Sequence, residues 1–295
     1  MTISSLEVGE LVGLLAAMAW GATGLLVRAF GAGIHAVVIN AFRNAVSGLV
    51  FVTVWFFASR GQPVPAAAWL LLVASTLMGL GIGDSLYFEA LKRIGVARAM
   101  PISMAYPVLA AIGAVVLLHE TLGGLAALGI ALTLGGVYLV AARPLTVEEA
   151  PRARGYWVGV ALAATAAVSW SCSTLALGPA MKLVDVPTAS AIRTPLASAL
   201  LFAAAGRARS FPKREEVRAP AVVGILIIGL TSVASTGLFV LSVTLAGAGR
   251  AAVLTATSPL FAVPLSVVLL NEPGDWRIVV GTLTSVLGVV LLAQS

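Results

Sequence analysis

The chain has 295 residues, of which 60% are hydrophobic and only 10% charged, and its mean hydropathy is +1.04. Soluble domains carry about a quarter charged residues, so this composition excludes one and identifies a membrane protein with no room for a soluble catalytic domain. The net charge of +6 would suggest nucleic acid in a soluble chain, but here the basic residues sit in short loops between apolar runs, so no nucleic-acid partner is implied.

Crossing ~30 Å of hydrocarbon takes about 20 helical residues, and ten such stretches roughly exhaust the length. In chain order the predicted helices cover 8-29, 35-58, 67-91, 97-118, 122-142, 156-180, 187-206, 219-246, 250-270 and 275-293. No alternating barrel pattern appears, so helices are required to satisfy the backbone in lipid. The second and seventh helices each carry one arginine, Arg43 and Arg193, inside the bilayer. Polar residues concentrate in 143-154, which reads as a linker, and in 207-218. Glu7 and Glu10 stand where a signal peptide would have a basic region, so no cleavable signal is expected. The single cysteine, Cys172, excludes an internal disulfide, and the distant His35 and His119 offer no evident zinc site. No cofactor is implied.

The chain reads as an internal duplication. Adding 152 to positions 95-140 brings fourteen identities without a gap, among them Gly95/Gly247, Arg98/Arg250, Pro107/Pro259, Glu120/Glu272, Gly129/Gly281 and Gly136/Gly288. Upstream the offset is 150, pairing Trp20 with Trp170 and Arg43 with Arg193. The predicted organisation is a first five-helix repeat at 1-142, a linker at 143-154 and a second repeat at 155-295. An odd number of helices per repeat turns the second copy upside down. The expected fold class is therefore an all-α polytopic membrane protein with ten transmembrane helices as two inverted five-helix repeats.

A signature segment runs from Gly83-Asp84-Ser85-Leu86-Tyr87 through Glu89-Ala90-Leu91-Lys92-Arg93-Ile94-Gly95 to Arg98-Ala99. Tyr106-Pro107-Val108-Leu109 and Leu118-His119-Glu120 follow it. Together with Ala19-Trp20-Gly21 and the half-length repeat, it resembles the EamA family of the drug/metabolite transporter superfamily over nearly the whole chain. The resemblance implies a ten-helix carrier with a central cavity, exporting amino acids, related metabolites or drugs by alternating access. Aromatic amino acid exporters of that superfamily tend to carry tryptophan before the proline of the fourth helix. This chain has Tyr106 there, which counts against aromatic substrates.

Several residues are candidates for substrate contact. Arg43 and Asp84 lie at matched depth, about 6 and 7.5 Å from the midplane and displaced toward the same face, so an ion pair between them is geometrically allowed. Arg193 occupies the inverted position, but the repeat counterpart of Asp84 is Thr236, which cannot be a counter-ion. Two arginines and one carboxylate leave a residual positive charge, suited to a carboxylate or phosphate; the competing reading makes both arginines structural anchors. Asp84 is also the candidate to take up a coupling proton, although desolvation and an arginine partner act on its protonation in opposite senses. Trp20 and Trp170, deep in the first and sixth helices, are expected to wall the cavity. Ser103, Tyr106, Thr255, Thr257 and Ser258 flank Pro107 and Pro259, whose missing amides would free carbonyls for substrate or water. Glu89, with Lys92 and Arg93 at i+3 and i+4, reads as a solvated pair. Glu120 and Glu272 read as caps of the helices that follow them, and the paired glycines as packing positions.

A secondary transporter fits these features best: an exporter of amino acids or related compounds, or alternatively an exchanger of phosphorylated or nucleotide-linked sugars. An intramembrane enzyme would show clustered ligands or a nucleophile with its base, so no enzymatic activity is expected. No Gly-x-x-x-x-Gly-Lys loop supports ATP-driven pumping. The implied partners are a small-molecule substrate, the lipid bilayer of a plasma (inner) membrane and a coupling proton, with the protein a monomer or homodimer. Both termini fall on one side. Three basic residues (Arg60, Lys182 and Arg250) lie on that side against thirteen on the other, so the positive-inside rule places the termini outside, against the cytoplasmic termini that the family resemblance suggests.

Overall fold

The computed structural model describes residues 5–58, 63–118, 123–142, 153–212, 219–292 and 294. Most of the expected linker, together with His119, Glu120, Arg60 and 213–218, lies outside the described residues. The described chain is helical throughout and forms the expected ten membrane helices. These are α1 (Ser5–Phe30), α2 (Ala36–Ala58), α3 (Ala66–Ile94), α4 in two pieces (Val96–Ser103 and Tyr106–Leu118) and α5 (Gly124–Ala141). The second half contains α6 (Ala153–Ala180), α7 (Val186–Arg207), α8 (Ala219–Ala246), α9 in two pieces (Ala248–Thr255 and Ser258–Leu270) and α10 (Trp276–Leu292). Eight are long and apolar enough to cross a bilayer; the described part of α4, and α10, are shorter apolar helices. The protein is an integral membrane protein.

Local chemistry explains the interruptions. Pro107 and Pro259 cannot donate to the helical ladder, and α4 and α9 each break just before them, at repeat-equivalent places. Between α3 and α4 the chain turns at Gly95 with φ +79°, and before α9 at Gly247 with φ +85°, values that favour glycine. Asp185 caps α7 by accepting from the Thr188 amide at 2.8 Å. An interruption without a sequence signal is the π-helical stretch Thr76–Gly83 inside α3.

Small residues set the packing. α1 runs antiparallel to α8: Gly9 faces Leu245 and Ala246, Ser242 Oγ donates to the Gly9 carbonyl at 2.9 Å, and Gly224 abuts Phe30. α6 meets α3 in the same way, with Gly159 against Ile94 and Gly83 against Trp170. Exchanging the two halves exchanges these two pairs. α2 crosses α7 antiparallel, with Gly48 on Pro195 and Ser198 Oγ donating to the Ala41 carbonyl at 3.2 Å. α5 crosses α10 likewise, pairing Gly129 with Gly288 and Gly136 with Gly281, so closely that a Cβ on Gly136 would meet the Gly281 carbonyl at 2.4 Å. The repeat glycines thus serve packing, as read from their spacing.

Two three-helix bundles result, α1/α8/α9 and its repeat counterpart α6/α3/α4, with the α2/α7 and α5/α10 pairs lying between them. The bundles are not equally apposed at their two ends. At the end bearing the α3–α4 turn, the first piece of α4 lies along the second piece of α9, and α1 reaches α3. At the end bearing the termini, the counterparts of these contacts meet over a much shorter stretch. Among the described residues, the molecule is shut at the α3–α4 end and less closely packed at the terminal end.

Candidate functional site

A cavity of about 50 Å³ lies where the bundles face each other. Its wall includes Trp20 of α1, Asp84 of α3, Tyr106 of α4, Trp170 of α6, Arg193 of α7 and Thr255 of α9, with Thr236 beside them on α8. A water needs roughly 10–15 Å³ of such space, so this volume holds a few waters and no amino acid. Admitting a metabolite requires the bundles to move.

Arg43 is fully buried behind this wall. It forms the ion pair with Asp84 that matched depth allows, through Nη2 and Oδ2. Its other two nitrogens are also engaged: Nε donates to Asn40 Oδ1 at 3.0 Å and Nη1 to Ser232 Oγ at 2.8 Å. The Arg43 guanidinium lies 5.0 Å from the Phe88 ring centre and 5.5 Å from that of Trp20, both within cation–π range. Asp84 is equally occupied, since its Oδ1 accepts from Trp170 Nε1 at 2.8 Å. Asn40 completes the network by donating to the Leu80 carbonyl, in the π-helical stretch, at 2.6 Å and to Ser85 Oγ at 2.9 Å. A buried ion pair is tolerated when further hydrogen bonds support it, and these partners give every guanidinium nitrogen of Arg43 and both oxygens of Asp84 a bond.

Arg193 has the opposite surroundings. It is 3% exposed and lines the cavity, yet no side chain among the described residues accepts a hydrogen bond from it, and its buried Nε has no partner. The repeat explains the difference residue by residue. Where Arg43 has Asn40 three positions earlier, Arg193 has Ser190, whose buried hydroxyl is also unpartnered. Where Arg43 has Asp84, Arg193 has Thr236. One half thus keeps an arginine with each guanidinium nitrogen bonded, and the other presents to the cavity a guanidinium whose neighbouring carboxylate, Asp84, is already bonded to Arg43.

The other expected site residues divide. Trp20 and Trp170 stand together with ring centres 5.8 Å apart, and the Tyr106 ring lies 6.0 Å from Trp170. Tyr106 reaches across the repeats, its hydroxyl donating to the Ala252 carbonyl at 3.1 Å. Thr255 lines the cavity, with its Oγ1 turned to the Ala251 carbonyl at 2.7 Å. Ser103, Thr257 and Ser258 are not brought to the wall. Ser103 Oγ donates to the Ala163 carbonyl at 3.0 Å, Thr257 Oγ1 to Leu254 at 2.6 Å, and Ser258 Oγ to the Thr255 carbonyl at 2.5 Å. That last bond uses the carbonyl which Pro259 deprives of its helical donor, so a hydroxyl on the same turn takes it up. Glu89 pairs with Arg93 and Lys92 at the helix end, at 2.8 and 3.8 Å.

Glu272 departs from its expected role. It does not cap the following helix; Asp275 accepts from the Arg277 amide there, at 3.1 Å. The Glu272 carboxylate instead crosses to the other half and caps α4, accepting from the Val96 and Ala97 amides at 2.9 and 2.8 Å, with Arg28 of α1 at 3.4 Å. Asn40, Ser190 and Ser232 were missed as parts of the site. A polar residue three positions before each buried arginine, at the repeat offset, was the available signal for the first two; Ser232 has no such mark.

Comparison with known proteins agrees with this architecture. The model of the EamA-like transporter family matches twice, over residues 7–142 and 157–294. An uncharacterized transporter of Archaeoglobus fulgidus is 27% identical over 284 residues, covering 96% of both chains. A solved crystal structure, described only as that of a protein, superposes with a TM-score of 0.68 at 20% identity over 96% of this chain and 95% of its own, a likeness of fold. With two family matches spanning both halves of a ten-helix membrane bundle, the chain belongs to the EamA-like transporter family.

Proposed function

We propose that the protein is a secondary active transporter that moves small metabolites by alternating access and exports amino acids or related carboxylate-bearing compounds. The observation that carries this reading is Arg193, a buried guanidinium on the wall of a cavity between two repeat-related bundles, from which no side chain among the described residues accepts a hydrogen bond; the carboxylate on the same wall, Asp84, is already bonded to Arg43. Its planar fork suits one carboxylate. Trp20, Tyr106 and Trp170 supply an apolar face for the rest of the solute. A diphosphate asks for more cations than the single unpaired one on the described wall, which favours a carboxylate over a nucleotide-linked sugar.

In this reading Asp84 is structural. Both of its oxygens are held, one by Arg43 and one by Trp170, so a proton could bind only by breaking the network. The substrate panel that tests the reading sets neutral amino acids, monocarboxylates, sugar phosphates and organic cations against purified protein in proteoliposomes with an imposed pH gradient. Flux confined to carboxylate-bearing solutes supports it. Flux of sugar phosphates or cations alone refutes the substrate class.

A further inference from the structure

Glu272 and Arg28 both stand on the α1/α8/α9 side of the molecule, while everything they hold stands on the α3/α4/α6 side. The Glu272 carboxylate sits on the Val96 and Ala97 amides at the start of α4. Arg28, besides pairing with Glu272, donates Nη1 to the Lys92 carbonyl of α3 at 3.0 Å. The seat is shaped for the carboxylate: a Cβ on Gly95 would meet its atoms at 2.7–2.9 Å, and Gly95 adopts φ +79°. These bonds close the end at which the bundles are pressed together, and the bundles cannot part there while the bonds persist. The free amides of a helix start and the positive end of the helix dipole make the seat favourable for a carboxylate.

Gly247, at φ +85°, is the counterpart of Gly95 and opens α9 as Gly95 opens α4, so the two ends of the cavity begin from equivalent turns. We infer that Glu272, held by Arg28, is the latch that shuts the α3–α4 end of the cavity and must leave its seat for the bundles to rock the other way. The inference rests on the alternating-access reading above and gives that cycle its gating residue at this end.

The test uses full-length protein in proteoliposomes, with Cys172→Ser and Met104→Cys, Met104 being a further residue of the cavity wall, and a membrane-impermeant maleimide applied from either side. Glu272→Ala should raise the labelling rate from the α3–α4 end roughly tenfold or more and lower it from the terminal end, since two hydrogen bonds to a charge hold the shut state. Val96→Pro removes one latch donor at the first helical position, where proline is tolerated, and should shift the ratio in the same direction as Glu272→Ala by about threefold or more. This variant decides the matter if Glu272→Ala does not fold. A two-sided labelling ratio unmoved by Val96→Pro, or raised equally from both sides by Glu272→Ala, overturns the latch alone. Labelling of the parent protein from only one side, under every gradient and solute, overturns the alternating-access reading and the latch with it.

Discussion

Thr236→Asp gives Arg193 the counter-ion that its repeat mate already has. Thr236 and Arg193 line the same cavity, and the corresponding Asp84 and Arg43 form a direct ion pair, so the new carboxylate stands where the solute's carboxylate is proposed to bind. A unit-charge pair about 4 Å apart attracts by about 4 kcal/mol at an effective dielectric constant of 20. Hydrogen bonds to a charged group contribute about 1.5–3 kcal/mol each, and a carboxylate on the guanidinium fork makes two. Occupying the fork from within should therefore weaken binding of a carboxylate solute on the order of 10²- to 10³-fold, with no loss of folded protein. The assay is concentration-dependent counterflow in proteoliposomes, beside thermal unfolding in detergent. Thr236→Asn, which matches the size but carries no charge, should stay within about tenfold of the parent. Undiminished affinity in Thr236→Asp, with the protein folded, would refute the assignment of Arg193 to the solute.

Further expectations concern the supporting structure. Asp84→Asn strands the Arg43 charge and should cost about 3–5 kcal/mol, seen as lost folded yield, while adding Arg43→Gln should restore yield. Gradient-driven accumulation by folded Asp84→Asn with unchanged pH dependence would agree with the structural role assigned to Asp84; selective loss of accumulation with solute exchange intact would instead make it the coupling group. Trp170→Phe removes the donor to Asp84 Oδ1 and should lower stability by about 1–3 kcal/mol, measured by thermal unfolding. Gly136→Ala pushes a methyl group into the α10 backbone and should destabilise by about 1–3 kcal/mol, whereas Gly135→Ala, with open space around it, should be neutral or stabilising by up to about 1 kcal/mol.

The ten helices were legible because bilayer thickness fixes their length and lipid forbids unpaired backbone, so charge-free runs had only one conformation open to them. Matched depth also anticipated the Arg43–Asp84 pair, because rise per residue is constant along a helix. Rotational setting is another matter. Ser103, Thr257 and Ser258 share helices with wall residues but turn to backbone carbonyls, a choice made by the breaks before Pro107 and Pro259. The π-helical stretch in α3 offers the Leu80 carbonyl to Asn40 of α2, a tertiary contact of which composition carried no trace. Glu272 was misplaced for a related reason: its position in the chain suggests the next helix, while the fold brings the start of α4, some 176 positions away, within reach of its carboxylate.

The most direct test of the account is counterflow of a carboxylate solute into proteoliposomes, comparing the parent protein with Arg193→Gln. Saturable, trans-stimulated uptake by the parent, with affinity lost on the order of a hundredfold in the folded variant, is the predicted result. Uptake by the parent no greater than in protein-free vesicles for every solute class, or equal uptake by Arg193→Gln, would contradict it.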